Sequence, residues 1–200
     1  IVHRIAYLVK VKRINPDRIL VLAYNRNAVR SLRLRLQELI GSLAFALRVF
    51  TFHGLALSLL GRTLGQSATP QNELSFAQLL KDACALLEHS DEGDDNLQLR
   101  RAQLLGNLEY IFVDEYQDVA ADEYRLIQLI AGLNRSPEDN RSVQINLCAI
   151  GDDDQNIYAF RGTNPRYILQ FETQYQAKRL LLTENYRSTE SIIQAANALI

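Results

Sequence analysis

Five short strand-like segments, separated by stretches with helical spacing, place the strongest constraint on how this chain can fold. The clearest run is Ile19–Ala23 (ILVLA), which contains no polar residue and is typical of a strand buried on both faces of a sheet. Similar runs predict strands at 48–51, 110–113, 145–150 and 178–182. Because strands that alternate with helices form parallel sheets covered on both sides, the sequence predicts an α/β fold.

The segments between these runs carry the helical patterns. Asn25 is a suitable N-cap for a helix that continues to about Ile40, where Gly41 follows its end. Helical spacing also covers 1–14, 53–60, 75–89, 97–105, 120–131 and 189–200. The stretch 63–107 contains predicted helices but no predicted strand, so we interpret it as an insertion, and 134–142 is expected to be a loop.

The composition is that of a globular chain, with 48% hydrophobic and 22% charged residues, which excludes a disordered or fibrous protein. No apolar run approaches the ~18 residues of a membrane span, and the first residues lack the pattern of a secretory signal. The two cysteines, Cys84 and Cys148, form no CxxC motif, so we expect a reducing, cytoplasmic environment and no zinc site. The chain contains no methionine, and we expect it to be a piece of a longer protein.

Basic residues are concentrated in the first third of the chain. Residues 1–62 carry 11 Lys and Arg against 2 acids, whereas residues 63–160 carry 6 against 18. A cationic segment of this kind suits a polyanion such as nucleic acid. A solvated helix face is the alternative, and the charge alone does not separate the two.

The segment 110–118 (YIFVDEYQD) is the most informative for chemistry. An apolar strand delivers Asp114 and Glu115 to the carboxyl edge of the sheet, where open α/β sheets bind ligands. In a nucleotide hydrolase, the first such acid can hold Mg²⁺ and the second can activate the attacking water. A strand followed by two acids is common by chance, so this pair alone is a weak signal.

The segment 149–162 (AIGDDDQNIYAFRG) is the second candidate for chemistry. Another strand leads into three acids, Gln155, two aromatic residues and Arg161. A glutamine can contact a γ-phosphate, aromatic rings stack on bases, and arginine binds phosphates. The alternative is a turn formed by the three acids, with Tyr158 and Phe160 in the core.

These two segments resemble motifs of the superfamily-one DNA helicases of the UvrD/Rep/PcrA type, which are written VDEYQD and GDDDQSIYxWRG. Here they stand with Asn156 in place of the serine and Phe160 in place of the tryptophan. Three further segments match in the family's order: 19–35 (ILVLAYNRNAVRSLRLR), 51–54 (TFHG) and 184–188 (ENYRS). The resemblance implies a RecA-like fold of the P-loop NTPase type. It also implies an ATP-dependent 3′→5′ helicase or translocase with ATP and Mg²⁺ as cofactors and with single-stranded DNA and single-strand/duplex junctions as partners.

The resemblance also implies roles for individual residues. Asp114 would hold Mg²⁺, Glu115 would be the catalytic base, and Gln155 would sense the γ-phosphate and link it to the DNA groove. Tyr186 would stack on the adenine, and Arg187 would contact the γ-phosphate. The implied DNA contacts are Tyr24, Asn25, Thr51, His53, Tyr158, Phe160 and Arg161. A core aromatic at Tyr24 and a buried, satisfied histidine at His53 remain the alternatives.

The chain also departs from the family pattern. Ala23 and Asn25 replace residues with hydroxyl groups, and the 200 residues contain no GxxxxGK[ST] phosphate loop. The short stretch between TFHG and VDEYQD implies a reduced helical insertion at 63–107, between two parts of the motor domain at 1–62 and 108–200, the second running into the next motor domain. Two alternatives stay open: the motor part of a helicase–nuclease or other fusion, and a nucleic-acid-binding module with a degenerate ATPase site.

Overall fold

The computed structural model describes residues 1–62, 76–88, 95–132, 145–158 and 162–199. Within these residues, four strands form one parallel sheet in the order β2-β1-β3-β4. The strands are β1 (Ile19–Ala23), β2 (Arg48–Thr51), β3 (Tyr110–Val113) and β4 (Asn146–Ala149). All four carboxyl ends therefore meet at one edge of the sheet.

Helices connect the strands and cover both faces of the sheet. The α-helices are α1 (Val2–Lys10), α2 (Arg26–Ile40), α3 (Phe52–Leu59), α4 (Phe76–Glu88), α5 (Asp95–Leu105), α6 (Ala121–Ala131), α7 (Arg166–Leu169), α8 (Phe171–Tyr175) and α9 (Glu190–Asn197). Short 3₁₀ turns occur at Pro16–Arg18, Gly41–Ala46, Tyr116–Asp118 and Asp153–Gln155. No helix in the described ranges is both long enough and apolar enough to cross a membrane.

The alternation of side chains along β1 explains why this strand is apolar throughout. Ile19, Val21 and Ala23 belong to a core with residues of α1 and α2, whereas Leu20 and Leu22 belong to a second core with residues of α3, α4 and α6. All five β1 residues are fully buried. A strand at the centre of a two-faced layer has no solvent side on which a polar residue could be placed.

The parallel sheet flanked by helices confirms the predicted α/β class, and the first four predicted strands are present. The predicted strand at 178–182 is wrong: this stretch has no regular secondary structure and pairs with no strand of the described chain. Its leucines at 180, 181 and 182 are 76%, 74% and 95% exposed. An apolar run becomes a strand only beside a neighbour that accepts its backbone hydrogen bonds, and here none is adjacent.

The predicted helices are present, most of them shorter by a few residues at their ends. The predicted loop at 134–142 lies outside the described residues. Helices α4 and α5 both lie within the predicted insertion. Five α4 residues belong to the same core as α3, α6 and one face of the sheet: Leu79, Leu80, Ala83, Cys84 and Leu87. The division of the chain into motor parts and an insertion stays a prediction.

Candidate functional site

The carboxyl edge of the sheet brings together residues from distant parts of the sequence. The Asp114 N–H donates to the carbonyl of Leu22 at 2.9 Å, and the Ile150 N–H donates to the carbonyl of Val113 at 2.9 Å. The sheet order therefore places the chain after β3 between the chain after β1 and the chain after β4. The predicted ATPase acids and the predicted DNA-contacting segments all leave the sheet at this edge.

Asp114 and Glu115 occupy different environments despite being neighbours. Asp114 is half-buried, and burial, followed by the charge of Glu115, raises the pKa of its carboxyl. Glu115 is exposed and adopts a left-handed backbone conformation, with φ 52° and ψ 50°. A non-glycine residue there carries a conformational cost of about 1–2 kcal/mol, so the surrounding turn must hold it in place.

The Asp114 carboxylate suits a magnesium ion. Carboxylate oxygens are the hard ligands that Mg²⁺ prefers, and a cation would relieve the unfavourable charge on half-buried Asp114. No cluster of three or more His, Cys, Asp or Glu side chains with metal-binding geometry occurs in the described part of the chain. Such an ion would therefore take further oxygen ligands from water or phosphate, as Mg²⁺ commonly does.

Gln117 joins these acids to the loop after β4. Its side chain is buried, its Nε2 donates to Glu115 Oε2 at 2.8 Å, and its Oε1 accepts from the Asp152 N–H at 3.1 Å. Its backbone carbonyl accepts a bond from Asn156 Nδ2. Sequence reasoning assigned no role to Gln117, although the residue lies inside the quoted VDEYQD motif.

The loop 151–158 is held by its own hydrogen bonds as well as by Gln117. The Asp152 side chain accepts the Asp154 N–H at 3.2 Å and Gln155 Nε2 at 2.6 Å. Gln155 is exposed and lies in a 3₁₀ turn, and no α-helix begins at Asn156 in the described residues. Asn156 Nδ2 also donates to Thr163 Oγ1 at 3.1 Å, which ties the far end of the loop to the chain beyond it.

The predicted DNA-contacting residues Asn25 and Thr51 are both helix N-caps. Asn25 Oδ1 accepts the Ala28 N–H at 2.8 Å, and Thr51 Oγ1 accepts the Gly54 N–H at 3.0 Å. Because these caps use only the acceptor oxygens, the Asn25 amide N–H₂ and the Thr51 hydroxyl hydrogen remain available as donors. His53, in the first turn of α3, is half-buried, and burial lowers its pKa.

A basic groove of about 400 Å³ lies beside these caps, between α2 and the chain at 49–54. Three arginines on one side of α2 line it: Arg26, Arg30 and Arg33. All three side chains are exposed, and Arg33 Nη2 donates to the carbonyl of Val49 at 2.6 Å. No acid among the described residues forms an ion pair with any of the three. The sequence alone indicates the positive charge of this region but not its concentration along the groove.

Four further predicted residues fall into two groups. Tyr186 and Arg187 are exposed in a turn in which the Tyr186 hydroxyl donates to Glu184 and the Arg187 N–H donates to Asn185 Oδ1. The hydrogen bonds described for this turn are local, and none reaches the edge of the sheet. Phe160 and Arg161 lie outside the described residues.

The chain is similar in sequence to proteins named as DNA helicases. The family model "UvrD/REP helicase N-terminal domain" matches residues 1–70 and 62–176. The ATP-dependent DNA helicase PcrA of Staphylococcus epidermidis (strain ATCC 35984) is 27% identical over 268 residues, covering 99% of this chain and 35% of that protein. PcrA of Staphylococcus aureus (strain Mu50) is 28% identical over 270 residues, with the same two shares. YjcD of Bacillus subtilis (strain 168) is 47% identical over 92 residues, covering 46% of this chain and 11% of that protein.

The chain thus spans about a third of the length of these PcrA relatives. The region matched by the family model includes the acids after β3, the buried Gln117 and the described loop after β4. With a RecA-like parallel sheet and a family match over most of its length, the chain belongs to the UvrD/REP helicase family.

Proposed function

We propose that this chain is part of the first motor domain of an ATP-dependent DNA helicase that moves 3′→5′ on single-stranded DNA. The observation that carries this proposal is the hydrogen-bonded connection from Glu115 through Gln117 to Asp152. A motor needs its ATPase acids and its nucleic-acid path joined by one structure that responds to both ligands. The PcrA relatives are named as ATP-dependent DNA helicases, which supports the same function.

On the ATP side, Asp114 holds Mg²⁺ and Glu115 acts as the general base. Magnesium, when bound, neutralises charge on the phosphates. Glu115 is exposed, so its carboxylate is accessible to accept the proton of the attacking water. Gln155, exposed beside Asp152, contacts the γ-phosphate.

The segment 184–188 completes the nucleotide site. Tyr186 stacks on the adenine, and Arg187 contacts the γ-phosphate. Both side chains are exposed, with Tyr186 88% exposed, so each is available to a ligand or to a neighbouring domain. An arginine placed against the transferred phosphate stabilises the charge that develops there.

On the DNA side, the strand follows the edge of the sheet past α2 and α3. Asn25, Thr51 and His53 contact the backbone, with the donors that capping leaves available at Asn25 and Thr51. Tyr24, Tyr158 and Phe160 stack on bases, and Arg161 contacts the backbone. The basic groove supplies positive charge next to this path. Single-strand/duplex junctions are the expected substrate.

We further propose that the chain works within a longer protein, here called the parent. The parent would supply the phosphate loop that the 200 residues lack and the second motor domain. On this basis we expect the 200-residue chain alone to show no measurable DNA-stimulated ATP hydrolysis.

The Glu115→Gln variant of the parent tests the proposal. We expect ATP binding to persist and turnover to fall by about 10²-fold or more, because the magnesium ligand Asp114 remains and only the base is removed. Glu38→Gln, which changes an exposed acid on α2, is the matched control and should leave turnover unchanged. A Glu115→Gln parent that hydrolyses ATP within about tenfold of the wild-type rate would remove Glu115 from this role.

A further inference from the structure

We propose that Gln117 is a positioning residue that transmits the state of the loop 151–158 to Glu115 and so sets how strongly DNA stimulates ATP hydrolysis. The inference rests on the proposed function, because it assigns a further residue and a form of regulation to the same site. It concerns a side chain that is only 2% exposed and that we do not expect to touch ATP or DNA.

Both ends of the Gln117 amide are in use. The nitrogen donates to the Glu115 carboxylate at 2.8 Å, and the oxygen accepts the backbone N–H of Asp152 at 3.1 Å. Gln117 can make both bonds because its amide has a donor and an acceptor. An ionised glutamate at this position would have no hydrogen to donate to Glu115. The amide therefore fixes the position of the Glu115 carboxylate relative to the first acid of the loop.

The contact between Gln117 and the loop is tight. A Cβ atom added at Gly151 would lie 2.4 Å from Gln117 Oε1 and 2.8 Å from Ile168 Cδ1. Asn156 Nδ2 also donates to the Gln117 backbone carbonyl, so the loop contacts this residue at two points. A displacement of Gly151 or Asp152 would therefore move the Gln117 amide. Because the amide donates to Glu115 Oε2, the Glu115 carboxylate would move with it.

Gln155 does not make this connection in the structure. Its amide nitrogen donates to Asp152 Oδ2 at 2.6 Å, which is a bond within the loop. A ligand bound by Gln155 can therefore shift the loop, whereas Gln117 links a shift of the loop to the position of the Glu115 carboxylate. The route from the DNA side to the catalytic base then passes through a buried residue that binds neither ligand.

Two variants of the parent remove the connection in different ways. Gln117→Glu keeps the size and an acceptor but cannot donate to Glu115 when ionised, and Gln117→Met keeps the length but removes both hydrogen bonds. Gln103→Glu, which makes the same change at an exposed position of α5, is the matched control. The measurement is kcat and the KM for ATP, each with and without single-stranded DNA, beside a thermal melt of every variant.

We expect the ratio of DNA-stimulated to basal kcat to fall by about tenfold in both Gln117 variants, while the KM for ATP changes by less than about threefold. A residue with a purely structural role would not lower this ratio selectively. Gln103→Glu should retain the wild-type ratio.

Gly151→Ala tests the same route without altering Gln117. The added methyl group displaces the glutamine amide, so the ratio should fall as it does in the Gln117 variants. Amide hydrogen exchange gives a second readout, because the Asp152 N–H loses its acceptor and the peptide covering 151–158 should exchange faster. If Gln117→Glu fails to fold, Gln117→Met and Gly151→Ala decide the result.

The inference is overturned if folded Gln117→Met and Gly151→Ala parents retain the stimulation ratio within about twofold of wild type. That outcome is distinct from failure of the proposed function. If the wild-type parent shows no ATP hydrolysis that depends on Glu115, the proposed function fails. If such hydrolysis is present and its stimulation by DNA is unaffected by these variants, only the role of Gln117 fails.

Discussion

The aromatic rings of Tyr24 and Tyr158 stack on each other, with centroids 5.5 Å apart and ring planes 21° from parallel. Tyr24 directly follows β1, and Tyr158 lies at the end of the loop after β4. Since β3 separates β1 from β4 in the sheet, the contact bridges two strand ends that are not neighbours. Two residues predicted to stack on bases thus form one aromatic pair at the carboxyl edge.

We expect Tyr24→Ala and Tyr158→Ala each to weaken binding of single-stranded DNA to the parent by about 1–3 kcal/mol, because each removes a stacking surface. The loss of DNA-binding free energy in the double variant should be smaller than the sum of the two single losses. The reason is that each single change also removes about 0.5–1.5 kcal/mol of packing between the two rings. A titration with a labelled oligonucleotide measures this, with Tyr7→Ala on α1 as the control. Unchanged DNA affinity in variants with a lowered melting temperature would instead make the pair structural.

The basic groove predicts a specific salt dependence. If Arg26 and Arg30 each contact one phosphate, Arg26→Gln with Arg30→Gln should reduce the slope of log K against log salt by about 1.4, or about 0.7 for each contact to a single strand. Arg35→Gln changes the charge on the same helix at a position that does not line the groove, and it should leave the slope nearly unchanged. Equal slopes for the wild-type protein and the double variant would place the DNA elsewhere.

Substitutions at Asn25 separate helix capping from DNA binding. Asn25→Asp keeps an oxygen for the Ala28 N–H, so stability should stay close to wild type. DNA affinity should nevertheless fall, because the amide donor is replaced by a negative charge. Asn25→Ala should cost about 1 kcal/mol of unfolding free energy through loss of the cap. Thermal melts beside DNA titrations measure both effects, and Asn25→Asp with wild-type DNA affinity would remove Asn25 from the interface.

Glu123 should make the stability of the chain depend on pH. Its carboxylate accepts the Ala120 N–H at 2.9 Å and is buried, and burial raises its pKa from 4.5 to about 7, with Asp118 and Asp122 adding to the shift. The folded state therefore binds more protons than the unfolded state between these values. The resulting contribution to stability is full below about pH 4.5 and is lost as the pH rises through about 7.

Glu123→Gln removes this titration and keeps an oxygen for the cap. We expect the unfolding free energy of the variant, relative to wild type, to increase by about 1–3 kcal/mol between pH 5 and pH 8. Urea unfolding at the two pH values measures the difference, with exposed Glu172→Gln as the control. A difference that is the same at both pH values would contradict the assignment.

The sequence predicted those features that a local pattern determines. The runs at β1 and β3 are apolar throughout because both faces are covered, and the Asn25 cap follows from one side chain and the helix next to it. The stretch 178–182 (KRLLL) ends in three leucines, yet it forms no strand because pairing depends on a neighbour that the local sequence does not specify.

The connection through Gln117 was missed for a related reason. A glutamine with acidic neighbours in the sequence is predicted to lie at the surface. The burial of Gln117 instead depends on how closely the loop after β4 approaches the turn after β3. Gly151 gives a partial signal, since a glycine directly after a strand is consistent with close approach of another chain segment. Which segment lies against Gly151 depends on the order of strands in the sheet, and no local sequence pattern encodes that order.

Strand separation by the parent tests the central claim most directly. The substrates are duplexes with a single-stranded tail at either the 3′ or the 5′ end, and the measurement is the release of a labelled strand with and without ATP. We expect ATP-dependent release from the 3′-tailed duplex, little release from the 5′-tailed duplex, and loss of release in Glu115→Gln. Release that prefers the 5′ tail, that needs no ATP, or that persists in Glu115→Gln would contradict the central claim.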